Sequence, residues 1–248
     1  MKFHNDFIGN DLHSCSLRFF GSDSNERFVD SLVSQADDWY YRSNHITYDI
    51  NSNGHRCKNI DEIDLSNYIL YTGCSNTEGV GLELKKSYPY LVSDILGHDY
   101  YNLAVGGTGI DVMVFNLITW FATVKQLPTA VVIQWPDETR FVTIDSTNTH
   151  MRPRGTWTTD DPLISRNIID DETLGRSYTR SFLAKKMLES SIKSPIHYVT
   201  VKSQLIPTNI LSSVLTSLDQ ARDLAHYGIK SHSNLSDKLV NMINQKTI

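Results

Sequence analysis

Three short segments of the sequence carry side chains that could act together in nucleophilic catalysis. The first, residues 73–79 (GCSNTEG), follows an apolar run and places Ser75 where a strand gives way to a helix. At such a turn a hydroxyl projects into a cleft, and nearby backbone N–H groups face developing negative charge. The alternative interpretation is an ordinary turn serine, and one serine after a glycine does not decide between the two.

The second segment is a glycine cluster, residues 106–109 (GGTG), that follows a predicted strand. Glycine lets the backbone approach a bound group closely, which makes the N–H of Gly107 a candidate donor to an oxyanion. The same cluster could bind phosphate in a nucleotide-binding protein, although its spacing matches neither GxGxxG nor the Walker pattern GxxxxGK[ST]. Both interpretations stay open at this point.

The third segment, residues 221–228 (ARDLAHYG), places Asp223 three positions before His226. Within one turn the carboxylate can reach Nδ1–H of the imidazole, leaving Nε2 to face a nucleophile. The alternatives are a surface turn with a capping aspartate and a metal site that adds His232. The spacing of those three residues matches no familiar set of metal ligands.

Strands and helices alternate along most of the chain and must position these segments. The predicted strands are 68–71, 100–105, 129–135 and 197–201, and the predicted helices are 87–96, 111–126, 176–192 and 235–243. This alternation predicts the α/β class, with a central, mainly parallel sheet between two helical layers. Ligands of such sheets bind at the carboxyl ends of the strands, where the three segments would meet.

The chain divides into two predicted regions. Residues 1–65 are polar and weakly periodic and are predicted to form an amino-terminal extension packed on the core, with His4 and His55 at the surface or in turns. Residues 66–248 are predicted to form the α/β domain, with an insertion around 136–173 that is long enough to be functional. Within that insertion Arg152, Arg154 and Trp157 are candidates to line a substrate cleft, and the alternative is an ordinary solvated loop.

The order Ser, Gly, Asp-x-x-His resembles that of the SGNH hydrolases, also called the GDSL esterase/lipase family. GCSNTEG resembles the GDS block with Ser75 as nucleophile, NLAVGGTG resembles the second block with Gly107 as an oxyanion donor, and ARDLAHYG resembles the last block. The resemblance covers about residues 66–248 and implies a flavodoxin-like three-layer α/β/α sandwich. It also implies that Asp223 and His226 complete a catalytic triad and that the N–H of Ser75 joins the oxyanion hole.

Two positions depart from the family pattern. Cys74 stands where the family has an aspartate that is not a triad member, and the GxND block has no counterpart in residues 134–140 (QWPDETR). The amide of Gln134 is the first candidate for the missing third oxyanion donor, followed by the N–H of Trp135 and by Arg140. Losing one such donor typically lowers turnover by about 10²–10³-fold.

The resemblance therefore implies a serine ester hydrolase that works through an acyl-enzyme and needs no cofactor. The polar insertion favours a small acyl group on a carbohydrate or similar polar carrier. The first alternative is a catalytically weakened binding or structural protein with the same fold, for example in a phage particle. The second is a nucleotide-binding α/β protein that uses the loop at 106–109.

Composition excludes several other classes. With 23 basic and 28 acidic residues the net charge is −5, which argues against a general nucleic-acid binder. Three cysteines without CxxC spacing form neither a disulfide framework nor a thiolate metal cage. We expect a cytoplasmic protein without a membrane span, because residues 1–11 lack an apolar signal core and the most apolar stretch, 110–122, is short. The sequence defines neither the oligomeric state nor the acyl substrate.

Overall fold

A computed structural model describes residues 1–144, 151–155, 157, 171–201 and 212–245. The strands in chain order are β1 (Lys2–His4), β2 (Phe7–Gly9), β3 (Cys15–Leu17), β4 (Tyr48–Ile50), β5 (Tyr68–Thr72), β6 (Asp99–Asn102), β7 (Ala130–Gln134), β8 (Phe141–Ile144), β9 (Met151–Arg154), β10 (Ile196–Val201) and β11 (Ser212–Leu215). The helices are α1 (Asn25–Ser34), α2 (Ser75–Glu78), α3 (Tyr88–Leu96), α4 (Ile110–Thr123), α5 (Asp171–Ser191) and α6 (Ile229–Gln245).

Five parallel strands form the central sheet in the order β11-β10-β7-β5-β6. Counted from 1 to 5 along the chain, they lie in the order 2-1-3-4-5, which is the flavodoxin-like arrangement. The strand order reverses between β5 and β7, so the loops that leave these two strands and β6 border the place where such sheets bind ligands. The predicted α/β class with a parallel central sheet is confirmed.

Alternating side chains of the sheet build one hydrophobic core on each face. Leu70 and Val131 pack with residues of α4 and α5, whereas Ile69 and Val132 pack with residues of α3 and α6. All four side chains are fully buried, as expected for strands covered on both faces. The helices therefore lie in two layers with the sheet between them, which is the predicted three-layer sandwich.

The predicted elements of residues 66–248 are present, with shifted ends. The strand predicted at 100–105 ends at Asn102, and the helices predicted to start at 176 and 235 start at Asp171 and Ile229. Two features were not predicted. The fifth strand of the sheet is β11, and β8 pairs antiparallel with β9 inside the predicted insertion 136–173. The rest of that insertion lies largely outside the described residues.

Residues 1–65 pack against the α/β domain over a buried surface. Phe7 joins the core beside α4, and the side-chain amide of Asn116 in that helix bonds both the N–H and the carbonyl of Ile8. The prediction that His55 lies at the surface is wrong, because its ring is fully buried between the hydroxyl of Tyr101 (3.1 Å) and the carbonyl of Ile8 (3.3 Å). Burial lowers the pKa of His55 to about 3.

His4 is also buried rather than in an exposed turn, since its Nε2 bonds the carbonyl of Asn10. The polar composition of residues 1–65 predicts exposed histidines. Both are buried because a polar segment that covers a domain buries some of its polar side chains and satisfies them with hydrogen bonds. Among the described residues, no helix is both long and apolar enough to cross a membrane.

Candidate active site

The turn after β5 places the hydroxyl of Ser75 at the carboxyl edge of the sheet. A Cβ added to Gly73 would lie 2.4 Å from Oγ1 of Thr77 and 2.7 Å from Cβ of Gln134, so a larger residue does not fit there. The tight turn starts α2 at once, and Ser75 is its first residue. Ser75 is 9% exposed, which leaves its hydroxyl at the floor of a pocket.

The carboxylate of Asp223 organises the loop that precedes α6. Its Oδ1 accepts the backbone N–H groups of Ala225 and His226, both at 3.1 Å, and the turn bends through Leu224 at φ 53°. Its Oδ2 accepts Nδ1 of His226 at 2.6 Å and the hydroxyl of Ser22 at 2.8 Å. The imidazole is therefore fixed by its own neighbouring carboxylate.

Nε2 of His226 lies 2.7 Å from Oγ of Ser75, although the two residues are 151 positions apart. The side chain of Asp223 is fully buried, and that of His226 is 16% exposed. The structure thus brings together the three side chains singled out from the sequence in one chain of hydrogen bonds, from hydroxyl to imidazole to carboxylate.

The environment of Asp223 keeps it ionised. Burial raises the pKa of this carboxyl, but the hydrogen bond and charge of His226 and the hydrogen bond from Ser22 outweigh burial and bring the pKa to about 2. An ionised carboxylate on Nδ1 selects the tautomer that carries its proton there, so the lone pair of Nε2 faces Ser75.

The glycine loop after β6 forms the next wall of the pocket. Gly106 and Gly107 line it, and Gly107 has φ 76°, a left-handed conformation that favours glycine. Gly109 does not line the pocket. It packs instead against Arg140, because a Cβ on Gly109 would lie 2.5 Å from the carbonyl oxygen of that residue. That carbonyl sits against the start of α4, where a phosphate-binding loop would have to receive its ligand.

A second carboxyl group, that of Glu78, is buried beside Ser75. Burial raises the pKa of Glu78 to about 7, although the hydrogen bond from Asn10, the charge of Arg56 and the N–H of Gly106 act in the opposite direction. The amide of Asn10 donates to its Oε1 at 2.7 Å, while Oε2 faces the glycine loop at Gly106. Glu78 thus ties the amino-terminal segment to the glycine loop under the pocket.

Gln134, the first candidate for the third oxyanion donor, is not brought into the pocket. Its Oε1 accepts the N–H of Thr77 at 3.1 Å and the hydroxyl of Thr77 at 2.6 Å, and its Nε2 points to the sulfur of Cys74 at 3.4 Å. The side chain of Gln134 is fully buried, and it accepts an N–H group of the first turn of α2 that has no partner within the helix. Trp135 packs into the core against Tyr198, and of the three candidates only Arg140 lines the pocket.

The pocket has a volume of about 470 Å³ and one of its walls comes from the amino-terminal segment. This wall includes Phe20, Gly21, Ser22 and Arg27, which could not be predicted as site residues because they belong to no motif. Of the three candidates in the insertion, Trp157 lines the pocket, whereas Arg152 and Arg154 do not. Nε of Arg154 instead donates to Oγ1 of Thr143 at 3.2 Å.

The metal site considered for Asp223, His226 and His232 is not formed. His232 is fully buried, and its Nδ1 accepts the backbone N–H of Tyr88 at 3.1 Å instead of facing the other two side chains. Within the described ranges, no group of three or more His, Cys, Asp or Glu side chains could hold a metal ion.

Comparison with known proteins gives matches only at the level of structure. No protein-family model matches the sequence, and no curated protein matches it. The chain is similar to an acetyl xylan esterase from the rumen bacterium Butyrivibrio proteoclasticus, with 15% identity over 73% of this chain and 64% of that one and a TM-score of 0.48. A family two carbohydrate esterase from Clostridium thermocellum, solved with cellohexaose, gives 15% identity, 73% and 64% coverage and a TM-score of 0.44.

A member of the lipolytic protein G-D-S-L family from Veillonella parvula is also similar, with 13% identity, 73% and 74% coverage and a TM-score of 0.34. The chain spans just under two thirds of the length of the two carbohydrate esterases. These three structures are two carbohydrate esterases and a G-D-S-L lipolytic protein.

Proposed function

We propose that this protein is a serine ester hydrolase of the SGNH type, with Ser75 as nucleophile, His226 as general base and Asp223 as the residue that orients and stabilises the imidazolium. The single observation that carries the proposal is the hydrogen-bonded chain with 2.7 Å between Ser75 and His226 and 2.6 Å between His226 and Asp223. Both distances lie in the range that proton transfer between a nucleophile and its base requires.

In the proposed reaction, Oγ of Ser75 attacks the ester carbonyl carbon while its proton passes to Nε2 of His226. The tetrahedral intermediate collapses, the C–O bond to the alcohol breaks, and the alcohol leaves with the proton from His226. A water molecule then gives its proton to His226 and attacks the acyl-enzyme. The carboxylic acid departs as Ser75 regains its proton, so no cofactor takes part.

The proposed oxyanion hole consists of the backbone N–H groups of Ser75 and Gly107. Ser75 opens α2, whose first N–H groups have no partner within the helix, and Gly107 faces the same pocket. With Gln134 held beneath α2, the proposed hole has two backbone donors. We therefore expect turnover about 10²–10³-fold below that of a comparable hydrolase with a third donor.

The proposed substrate class is an ester of a small acyl group on a carbohydrate or similar polar carrier. The pocket of about 470 Å³ supports this class because polar or charged side chains such as Asn10, Arg27 and Arg140 line it beside Trp157. A long acyl chain would need an extended apolar groove at Ser75.

Hydrolysis of p-nitrophenyl acetate tests the proposal. We expect measurable turnover by the wild type, loss of about 10³-fold or more in kcat for Ser75→Ala and for His226→Ala, and no further loss in the double variant. Ser233→Ala, at an exposed position of α6, and His45→Ala, at an exposed position before β4, are the matched controls and should keep wild-type rates. Hydrolysis of the ester at the same rate in Ser75→Ala would contradict the proposed mechanism.

The second candidate is a binding protein with the same fold, favoured by the absence of Gln134 from the pocket. In that case the wild type and Ser75→Ala should both show only background hydrolysis. Carbohydrate esters would still raise the melting temperature of both proteins, because a ligand of the folded state stabilises it.

A further inference from the structure

Two guanidinium groups face the pocket that holds Ser75. Arg27 comes from α1, and Arg140 comes from the loop between β7 and β8. The acidic residue that lines the same pocket is Glu78, which lies fully buried and whose pKa burial raises to about 7. Near neutral pH the described lining of the pocket therefore carries an excess of positive charge.

The backbone of Arg140 is held firmly. Its N–H donates to the carbonyl of Asp137 at 3.1 Å, and its carbonyl accepts Nη2 of Arg180 at 3.0 Å. The same carbonyl lies against Gly109, where there is no room for a Cβ. The side chain of Arg140 therefore starts from a fixed backbone, and it lines the pocket.

The guanidinium of Arg140 has unused hydrogen-bonding capacity. Its Nε and Nη1 are shielded from solvent, and neither has a hydrogen-bond partner among the described residues. The group lies over the ring of Trp157, 4.9 Å from the ring centroid, which stabilises its charge but accepts none of its N–H groups. A shielded guanidinium without acceptors is costly, and an anion that accepts a hydrogen bond from Nε or Nη1 would relieve part of that cost.

Trp157 relates this guanidinium to the reacting centre. Its ring lies 3.7 Å from the position of a Cβ on Gly107, a donor of the proposed oxyanion hole, and the residue is 50% exposed. Trp157 therefore lies beside the proposed oxyanion hole, and part of its ring is open to solvent. Its exposed ring offers an apolar face to the C–H face of a sugar.

We infer that Arg140 and Trp157 form a subsite for an acidic sugar, so that the ester cleaved at Ser75 is carried by a carboxylate-bearing carbohydrate. Trp157 would pack on the sugar ring while the guanidinium of Arg140 donates charge-assisted hydrogen bonds to the carboxylate. Arg27 lines the same pocket at an exposed position, and its positive charge adds electrostatic attraction for the carboxylate. The inference rests on the proposed ester hydrolysis for its chemistry, but its binding part does not require turnover.

The test compares two sugars that differ in one group. Binding of methyl glucuronide, which carries a carboxylate, and methyl glucoside, which carries a hydroxymethyl group, is measured calorimetrically with the wild type, Arg140→Gln and Lys125→Gln. We expect the wild type to bind the glucuronide about tenfold or more tightly than the glucoside, as for a charge-assisted hydrogen-bonded pair. Arg140→Gln should lose this preference, whereas Lys125→Gln, which removes an equal charge at an exposed position, should keep it.

Mono-O-acetyl derivatives of the same two sugars extend the test to turnover, measured as acetate released. The ratio of kcat/KM for the acidic over the neutral ester should follow the binding preference and fall toward one in Arg140→Gln. Equal binding of the two sugars by the wild type, or an unchanged preference in Arg140→Gln, would overturn the inference. Failure of the proposed hydrolysis has a different signature, which is acetate release that is at background level or independent of Ser75 while the binding preference for the acidic sugar stays intact.

Discussion

Arg222 and Asp23 form an ion pair at 2.7 Å in which both side chains are essentially inaccessible to solvent. Arg222 immediately precedes Asp223, and Asp23 immediately follows Ser22, whose hydroxyl donates to that same Asp223. The pair therefore clamps the amino-terminal segment to the loop that carries His226. The position of the imidazole depends on residues about 200 positions apart.

Removing one partner of this pair should unfold or loosen the site. Arg222→Met leaves the carboxylate of Asp23 buried without its two-nitrogen partner, and we expect a loss of about 3–5 kcal/mol in the free energy of unfolding. Urea unfolding followed by circular dichroism measures it. Lys58→Met breaks the solvent-exposed pair with Asp99 and should cost about 1 kcal/mol or less. Equal effects of the two variants would contradict the clamp.

The buried carboxyl of Glu78 predicts a pH dependence of stability. Because its pKa rises from 4.5 to about 7 on folding, the folded protein binds more protons between these values, and this contribution to stability falls as the pH rises from about 4.5 to about 7. Glu78→Gln does not titrate, so its stability relative to the wild type should increase over that interval and stay level outside it.

The relative stability is the correct readout, because other buried groups titrate in both proteins. Burial lowers the pKa of His55 and of His232 to about 3, which makes the folded state gain stability as the pH rises from about 3 toward 6.5. Ser233→Ala, which changes no titratable group at an exposed position of α6, serves as the control and should show no pH-dependent difference. A flat difference between Glu78→Gln and the wild type would show that Glu78 is ionised in the folded protein.

Asp223→Asn tests whether the carboxylate orients the imidazole of His226. The amide keeps the shape of the side chain but favours the wrong imidazole tautomer, so we expect kcat to fall by about 10³–10⁴-fold with little change in KM. Ser22→Ala removes one of the hydrogen bonds on Oδ2 and should lower kcat far less. A large rise in KM with unchanged kcat for Asp223→Asn would assign it to substrate binding instead.

The sheet and the three segments at its edge were predictable because their signals are local. Buried strands such as 68–71 are continuous apolar runs, and the spacing of Asp223 and His226 lets one turn join them. Ser75 follows the first strand of a parallel sheet, so the base that contacts it must come from another loop at the carboxyl edge of that sheet. The meeting of Ser75 with His226 follows from topology rather than from any direct signal between them.

The remaining parts of the site depend on contacts that no local pattern encodes. Ser22 and Arg27 reach the pocket because a polar segment folds back over the domain, and the buried partner of Arg222 lies 199 positions away. Gln134 has the right chemistry for an oxyanion donor, yet its amide is used to hold Thr77 at the start of α2. Composition and spacing cannot tell a side chain that faces a pocket from one that supports the turn beneath it.

Labelling with a fluorophosphonate probe, followed by mass spectrometry of the modified peptide, tests most directly whether Ser75 is an activated nucleophile. We predict a single adduct on Ser75 in the wild type and in Ser233→Ala, no adduct in Ser75→Ala, and strongly slowed labelling in His226→Ala. An unlabelled wild type, or an adduct on another residue that persists in Ser75→Ala, would contradict the account.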